Sequence, residues 1–361
     1  MELSPFPHHG PLEPGQVPPR RALVDELVER VTQRRVTALL GPRRFGKTTA
    51  LRAVAERLDD AVTTVWVDLY ELSSWADLAL RLDAALDAAG TGSGAPLREL
   101  AAGLELRLGV LNVEFRRPAA QRPDPMLVVQ AQLDVLVRAA RQHELVLIVD
   151  EFSGIVGVDG AAAALRTALQ HHFQRIGLLF AGSEPSVMEM LFTERAEPFY
   201  GQADLIEAGP LDAVEVERLV REGFERTGRR AGPIASRIEA ITRGHPHRVM
   251  QLADAVWRRV DPGGEASVDD VVAALDEVLA ASSSGMERLF SSLPTGEQVV
   301  LRLVASGDGI YGAMASSLGL SNGGAQHARA SLVERGHVIR RGSHLSIVDP
   351  VLAEWLRRTF G

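Results

Sequence analysis

The fold of this chain can be worked out from the segment Gly41-Pro42-Arg43-Arg44-Phe45-Gly46-Lys47-Thr48. It has the spacing of a P-loop, in which two glycines enclose four variable residues and are followed by lysine and then by serine or threonine. An apolar run at 36–40 predicts a buried strand before the loop, and apolar residues at helical spacing over 48–58 predict a helix after it. Strand, glycine loop and helix together predict a phosphate-binding site; a glycine-rich turn that fits by chance is the alternative.

Each residue type in this loop has a physical role toward a nucleotide. The glycines let the backbone curl so that its N–H groups point inward, and the N-terminus of the following helix adds a partial positive charge. Lys47 would reach the β- and γ-phosphates of ATP, and the Thr48 hydroxyl would contact Mg²⁺. The predicted ATP-binding residues of the loop are Gly41, Pro42, Arg43, Arg44, Phe45, Gly46, Lys47, Thr48 and Thr49.

The lysine content of the chain strengthens this interpretation. The chain has 39 lysines and arginines in total, and Lys47 is the single lysine among them. A compact ammonium that fits between phosphates cannot be replaced by a planar guanidinium. A chain that uses arginine everywhere else would therefore retain lysine at such a site.

The bulk composition excludes several classes of protein. The 361 residues suffice for two or three domains, and the net charge of −8 argues against a protein that coats nucleic acid generally. Because the chain has no cysteine, it has no disulfide, thiol nucleophile or cysteine zinc site. No apolar run reaches the length of a membrane span, and the first residues lack the features of a signal peptide. We expect a soluble cytoplasmic protein that makes no use of a membrane.

The first 209 residues predict alternating strands and helices. Apolar runs predict further strands at 62–69, 144–151, 176–181 and 205–208, with amphipathic helices between them. This alternation predicts an α/β fold, a P-loop NTPase core with a parallel sheet covered on both faces. The core would extend over 20–209, after an irregular extension at 1–19 that runs over the surface. Segment 91–125 is a predicted insertion that holds either a hairpin at 105–115 or a surface loop.

Two acids at the end of the strand at 144–151 complete the predicted ATP site. Asp150 would hold Mg²⁺ through water beside Thr48, and Glu151 would orient and deprotonate the attacking water. The predicted catalytic residues are Glu151, Lys47 and Asp150, and the predicted metal ligands are Thr48 and Asp150.

Ser183 is a further candidate, because it follows the strand predicted to neighbour Asp150. A polar residue at that position would lie close to the γ-phosphate and could act as its sensor. The alternative is an ordinary cap for the helix that begins near Pro185, a position that serine suits well.

A different pattern begins at 210. Amphipathic segments predict helices at 213–227, 234–242, 247–260 and 268–280, which would form a helical lid over 210–284. The polar residues 282–285 would form a short joint. Beyond it, three predicted helices, an alternating segment at 337–347 around a glycine turn, and a last helix at 350–358 predict a winged helix-turn-helix domain over 285–361.

With these motifs together, the chain resembles the archaeal-type ATPase family of the STAND and AAA+ branch of P-loop proteins. The resemblance covers about 20–358. It rests on the P-loop, on the strand with its two acids, on Gly182-Ser183, on Gly244-His245-Pro246 with Gln251 following, and on the terminal winged helix. It implies ATP hydrolysis with Mg²⁺ as cofactor, and it is compatible with an oligomer.

The resemblance also implies nucleotide contacts from the lid. In such families the Gly-x-Pro turn brings the lid against the nucleotide, which makes His245, Pro246 and Arg248 candidate contacts. The alternative for Arg248 is a solvent-facing arginine on a helix.

One part of the family pattern is missing. The family commonly has an aromatic-Gly-Arg triplet before the fifth strand, and the corresponding residues here are Tyr200-Gly201-Gln202. Gln202 cannot replace the charge of an arginine that acts across a subunit boundary. Arg195 is the nearby candidate for such an arginine finger.

Two functions are open at this point. The first is a molecular switch whose ATP state repositions the winged helix; the second is a DNA-binding regulatory module with structural ATP and negligible turnover. Residues 286–361 hold eight arginines against six acids, which would suit double-stranded DNA, although winged helices also dock protein partners. The candidate DNA contacts are Gln326, His327 and Arg329 on the recognition helix and Arg340 and Arg341 on the wing.

Overall fold

The computed structural model describes residues 2–10, 12, 20–58, 62–89, 124–341 and 344–361. Contacts divide the chain into two compact units, which we describe separately. The sheet unit comprises Arg21–Gly41 and Lys47–Ala208, and the helical unit comprises Met1–Arg20, Pro42–Gly46 and Gly209–Gly361. None of the helices in the described segments combines the length and hydrophobicity needed to cross a bilayer.

The sheet unit is built on five parallel strands in the order β2-β3-β4-β1-β5, which confirms the predicted α/β fold with a parallel sheet. Their apolar sequences suit strands that are covered on both faces. Because the strands are parallel, their C-terminal ends meet at one edge of the sheet, where the predicted site residues lie. The strands are β1 (Thr37–Leu40), β2 (Val62–Asp68), β3 (Glu144–Asp150), β4 (Ile176–Gly182) and β5 (Asp204–Glu207).

Helices cover both faces of this sheet. Alternate strand residues point to opposite faces, so Leu39, Ile148 and Leu179 pack in one core while Leu147 and Phe180 pack in the other. A 3₁₀ turn at Phe152–Gly157, which the sequence pattern does not predict, follows β3. The helices are α1 (Arg21–Thr32), α2 (Lys47–Arg57), α3 (Trp75–Ala89), α4 (Pro125–Ala139), α5 (Ala161–Leu169) and α6 (Pro185–Thr193).

The helical unit has one continuous hydrophobic core that runs from Phe6 to Leu356. Capping boxes at Asp212 and Ser267 satisfy free backbone N–H groups at the starts of two of its helices. Its two strands pair antiparallel, with Val338 opposite Ile347. The elements are α7 (Ala213–Glu225), α8 (Ile234–Thr242), α9 (Pro246–Trp257), α10 (Val268–Ser292), α11 (Thr295–Ser306), α12 (Ala313–Ser317), α13 (Asn322–Glu334), β6 (Val338–Arg341), β7 (His344–Ile347) and α14 (Pro350–Phe360).

The predicted joint at 282–285 is wrong, because α10 continues through it to Ser292. Serines and a glycine have modest helix propensity, but Met286 and Phe290, one and two turns further on, are buried in the core and hold the helix in place. Ser283 also accepts a hydrogen bond from Nε1 of Trp355 at 3.2 Å. Whether 210–284 and 285–361 act as separate domains stays a prediction; both belong to the helical unit.

The N-terminal extension does more than run over the surface. In residues 2–10, which we call the N-terminal strap, Phe6 is 1% exposed and packs on Phe224 with ring centroids 5.6 Å apart. Gly223 leaves the space for this ring, since a Cβ there would lie 2.3 Å from Phe6 Cζ. A single aromatic residue in a proline-rich segment therefore joins the strap to the core of the helical unit.

Two predicted features lie outside the residues that the structure describes. They are the hairpin at 105–115 and the turn at 342–343. For Arg341 the backbone in β6 is described, and its side chain is not.

Candidate nucleotide site

The P-loop glycines are required by the backbone around them. A Cβ at Gly41 would lie 2.8 Å from the carbonyl oxygen of Ala208, closer than side chains tolerate, and Gly46 has a φ of +79°. Arg44 also lies in the left-handed region, with a φ of +68°. The positive φ of a non-glycine residue in a short loop is the kind of local strain that occurs where a backbone must curl around a ligand.

Lys47 is the first residue of α2 and is only 5% exposed. Its ammonium donates a hydrogen bond to the carbonyl oxygen of Gly41 at 2.7 Å, which folds the side chain back across the loop. A buried ammonium is stable only with acceptors around it, so this position is suited to an anion that supplies more of them.

The structure brings Thr48 and Asp150 together, as the sequence predicts, although 102 positions separate them. Thr48 Oγ1 donates to Asp150 Oδ2 at 2.8 Å, and the backbone N–H of Glu151 donates to Asp150 Oδ1 at 3.0 Å. Burial raises the pKa of Asp150 to about 6, and the charges of Glu151 and Asp68 act in the same direction. A cation bound beside Asp150 would compensate the negative charge of this buried carboxylate.

The donor set fits a magnesium ion. A carboxylate and a threonine hydroxyl are hard oxygen ligands, and Mg²⁺ usually takes one or two protein ligands together with substrate phosphates and water. Within the described residues, no group of three or more histidine, aspartate or glutamate side chains is arranged to hold a metal by itself. The pair Thr48 and Asp150 beside a phosphate-binding loop matches the Mg²⁺ pattern.

Glu151 and Ser183 are also in contact. Ser183 donates to Glu151 Oε2 twice, from Oγ at 2.6 Å and from its backbone N–H at 3.0 Å. Glu151 has a φ of +49°, an uncommon conformation that turns its side chain from the end of β3 toward the end of β4. The alternative reading of Ser183 as a helix cap is not what the structure shows, because Glu184 is the N-cap residue of α6.

In the helical unit, the Gly-His-Pro turn packs on the residues of the P-loop tip. Gly244 has a φ of +70°, and its missing Cβ would lie 2.0 Å from the carbonyl oxygen of Leu211. His245 is 5% exposed, and its ring lies 4.7 Å from that of Phe45. Pro246 opens α9. His245 thus lies beside Phe45 of the P-loop tip, and its contact with a nucleotide stays a prediction.

Arg248 is buried rather than solvent-facing, and its partner was not predicted. Its Nε donates to Asp349 Oδ1 at 2.8 Å, and a second nitrogen bonds Oδ2, so the pair is bidentate; a third bond goes to Gln251. Asp349 is the N-cap of α14 and accepts from the backbone N–H groups of Val351 and Leu352. The Asp-Pro pair at 349–350 signals a helix start in the sequence, but nothing there points to Arg248.

The remaining candidates lie on surfaces. Arg195 is exposed in the turn after α6, and Gln202 donates to the carbonyl oxygen of Tyr200 at 3.2 Å. On α13, Ala325, Ala328 and Leu332 face the core. The opposite face of α13 exposes Gln326 and His327 and half-exposes Arg329, and Arg340 on β6 is exposed as well.

Residues 29–191 match the family model of the AAA domain. This stretch, somewhat less than half of the chain, is similar to an AAA domain. It begins within α1 and ends within α6, so it includes the P-loop, both acids and Ser183. In this stretch Lys47 bonds the carbonyl oxygen of Gly41 and Thr48 bonds Asp150, an arrangement that fits a P-loop of the AAA type.

One solved structure shares the fold over nearly the whole chain, and two others match with lower scores. The Walker-type ATPase of Pyrococcus abyssi has a TM-score of 0.70 and 19% identity, over 98% of this chain and 99% of that one. The Orc1 protein of Aeropyrum pernix, solved in complex with DNA, has a TM-score of 0.49 and 15% identity, over 98% of this chain and 94% of that one. For the branch migration motor RuvB of Thermotoga maritima the values are 0.46 and 15%, over 95% of each chain. Comparison with curated proteins gives no significant match.

Proposed function

We propose that the protein binds Mg-ATP at its AAA domain and hydrolyses it slowly, and that the nucleotide state acts as a switch on the C-terminal part of the chain. The observation that carries this proposal is the hydrogen bond from Thr48 to Asp150 beside a buried Lys47. These three side chains supply a phosphate ligand and the two protein ligands that a magnesium ion needs.

Each of the predicted ATP-site residues has a role in this proposal. The backbone N–H groups of residues 41–48 and the Lys47 ammonium bind the phosphates, and Thr48 and Asp150 hold Mg²⁺. When bound, Mg²⁺ neutralises phosphate charge and acts as a Lewis acid toward the phosphoryl group. The raised pKa of Asp150 supports this assignment, because a nearby cation would keep the carboxylate ionised.

Glu151 acts as the general base in this proposal, and Ser183 positions it. Both bonds from Ser183 engage Oε2, so Oε1 is the oxygen that accepts a proton from the attacking water. The Ser183 hydroxyl also restricts the side chain of Glu151 to one rotamer, which lowers the entropy lost when water is aligned.

The C-terminal part of the switch is the helical unit. We propose that α7–α10 form a lid and that α11–α13 with β6, β7 and α14 form a winged helix. A contact of Arg248 with phosphate would require it to exchange Asp349, the N-cap of α14, for the nucleotide. Loss of that ion pair would loosen the start of α14, which links the nucleotide state to the terminal segment.

ATP turnover tests the enzyme directly. We expect the native chain to hydrolyse ATP with Mg²⁺, Lys47→Ala to lose ATP binding, and Glu151→Gln to bind ATP but turn it over about 100-fold more slowly, since a general base contributes at least that factor. Binding is measured by calorimetry and turnover by phosphate release. The matched control is Glu189→Gln, because Glu189 is an exposed carboxylate on α6.

A different outcome would favour the second function. If the native chain and both variants are equally inactive while ATP still protects the native chain from heat, ATP is structural and the protein is a binding module. Normal turnover in Glu151→Gln would instead remove Glu151 as the base.

DNA binding through the winged helix is the second candidate function, favoured by the exposed polar face of α13. For the double variant Arg340→Ala, Arg341→Ala we expect weaker binding to duplex DNA and a salt dependence reduced by roughly two units of slope, because each phosphate contact contributes about 0.9. The control is Arg357→Ala, Arg358→Ala, whose arginines pair with Glu354. Equal affinity and slope in the native chain and the wing variant would exclude the wing from DNA binding and leave a protein partner.

A further inference from the structure

Two turns at the C-terminal edge of the sheet pack against each other so closely that only glycine fits at the contact. The first is the loop 69–72 after β2, which we call the β2 loop, and the second is the 3₁₀ turn after β3. A Cβ at Gly154 would lie 2.0 Å from the carbonyl oxygen of Leu69, and a Cβ at Gly157 would lie 2.6 Å from that of Leu72. Neither glycine has a positive φ, so it is the close approach of the two backbones that requires them.

Hydrogen bonds connect this contact to the two acids at the end of β3. The backbone N–H of Leu69 donates to the carbonyl oxygen of Asp150 at 2.9 Å, and the backbone N–H of Gly154 donates to that of Glu151, also at 2.9 Å. Gly154 therefore contacts the β2 loop on one side and closes the turn that starts at Glu151 on the other. A shift of Gly154 away from Leu69 would pull on the backbone of Glu151.

A group of aromatic side chains fixes the other side of the 3₁₀ turn. Phe152, the first residue of the turn, is 0% exposed. Its ring lies 4.5 Å from that of Phe180, 5.3 Å from that of Phe199 and 5.8 Å from that of Phe192. Because a close-packed core leaves little free space, the turn is held between these rings and the β2 loop.

These restraints converge on Glu151. Its φ of +49° lies in the left-handed region, which is unfavourable for a residue with a Cβ and persists only where the surroundings impose it. Ser183 bonds the carboxylate at the end of this side chain, and neither of its bonds reaches the Glu151 backbone. The backbone restraint comes from the turn itself, through the packing of Gly154 on Leu69.

We propose that Gly154 is a positioning residue for hydrolysis: its contact with Leu69 holds the backbone of Glu151 in the conformation that directs its carboxylate at the attacking water. The assignment rests on the proposed function, because it takes Glu151 to be the general base. Gly154 has no side chain with which to contact a nucleotide, so it acts through Glu151 alone. It therefore affects the chemical step and leaves ATP binding by Lys47 unchanged.

The test is a double-mutant cycle on ATP turnover by the full chain with Mg²⁺. We expect Gly154→Ala to lower kcat about 10- to 100-fold, because the added Cβ must move by about 1 Å or more and a misplacement of that size can cost as much. The KM and the dissociation constant of ATP, measured by calorimetry, should stay within about twofold of the native values. In the Glu151→Gln background, Gly154→Ala should have no further effect, because the base that it positions is absent.

Gly177→Ala is the matched control. A Cβ at Gly177 would lie 2.9 Å from Val31 Cγ1 and 3.0 Å from Val146 Cγ2, so this position is also crowded, but it lies near the start of β4, at the opposite end of the strand from the site. We expect this variant to lose stability and to keep the native kcat, with the folded state verified by circular dichroism. If Gly154→Ala does not fold, Gly157→Ala, which makes the milder contact, takes its place in the cycle and should lower kcat in the same direction.

The outcomes separate this inference from the proposed function. If the native chain does not hydrolyse ATP, the proposed function fails and the inference fails with it. If the native chain hydrolyses ATP and the folded glycine variant has the native kcat, the inference is overturned while the proposed function stands. An equal loss of turnover in the native and Glu151→Gln backgrounds would also overturn it, because the glycine would then act on the fold as a whole. A loss confined to the native background, with unchanged ATP affinity, supports it.

Discussion

Asp349→Ala is expected to lower the free energy of unfolding of the helical unit by about 3–5 kcal/mol, the cost of leaving one partner of a buried ion pair alone. The Arg248 side chain, only 8% exposed in the native chain, would lose its carboxylate partner. Burial raises the pKa of Asp349, but the bonds and charge of Arg248 outweigh it and hold the pKa below its usual value. The carboxylate therefore favours the folded state at neutral pH.

Asp349→Ala would also remove the N-cap of α14. Asp349→Ser separates the two contributions, because serine keeps a capping oxygen and loses the charge. The double variant Arg248→Met, Asp349→Ser removes both charges and should recover most of the loss. The control is Asp276→Ala, since the Asp276–Arg358 pair is exposed and is worth roughly 1 kcal/mol or less.

Urea denaturation followed by tryptophan fluorescence measures these differences. Trp257 and Trp355 report on the helical unit once Trp66 and Trp75, which belong to the sheet unit, are replaced by phenylalanine. If Asp349→Ala unfolds at the same urea concentration as Asp276→Ala, the ion pair makes no special contribution to stability.

Asp150→Asn is expected to raise the free energy of unfolding, whereas Asp349→Ala lowers it. It is also expected to abolish ATP turnover. Asparagine can accept from the backbone N–H of Glu151 through Oδ1 and donate to Thr48 Oγ1 through its amide, so both hydrogen bonds of Asp150 are retained in kind. It carries no charge, and so avoids the cost of burying a carboxylate. It is also a poor ligand for Mg²⁺, so ATP turnover should be lost.

The pH dependence of this stabilisation follows from the pKa of Asp150, raised from 3.8 to about 6 in the folded chain. Well below pH 3.8 the carboxyl is protonated in both the folded and unfolded states, so its charge gives the variant no advantage over the native chain. Between pH 3.8 and 6 the unfolded chain ionises this carboxyl while the folded chain keeps it protonated, so the native fold loses stability over this window. The advantage of Asp150→Asn therefore grows between pH 3.8 and 6 and is level at about 3 kcal/mol by pH 8.

Thermal denaturation at pH 4, 6 and 8 in the presence of EDTA measures this advantage. Thr49→Val, a change beside the same site that alters no charge, is the control. A stability difference between Asp150→Asn and the native chain that does not change with pH would show that Asp150 is not a destabilising buried charge.

The sequence predicts the sheet unit well because its signals are local. A run of apolar residues that ends in a glycine loop or in two acids identifies both the strand and the position of its C-terminal end. Since parallel strands share that edge, Thr48, Asp150 and Ser183 could be placed near one another without knowledge of the strand order. The contact of Ser183 with Glu151 was out of reach because it depends on the φ of Glu151, a feature that the pattern does not encode.

In the helical unit the unpredicted features are contacts between distant positions. Arg248 and Asp349 are 101 positions apart, and either one alone reads as an ordinary surface charge or a helix cap. Phe6 reads as an isolated aromatic residue until Gly223, on a distant helix, is seen to leave space for it. The joint at 282–285 was misread because helix propensity is weaker than the burial of Met286 and Phe290.

The unbroken helix α10 limits how the chain can be dissected. Its 25 residues span about 37 Å at 1.5 Å per residue. A truncation after residue 284, where composition suggests a boundary, would cut α10 about two turns before its end. It would also expose Met286 and Phe290, which are buried in the intact chain, on the released fragment. Fragments meant to isolate the last helices should therefore start at or before Ser267, the N-cap of α10, so that they include the complete helix.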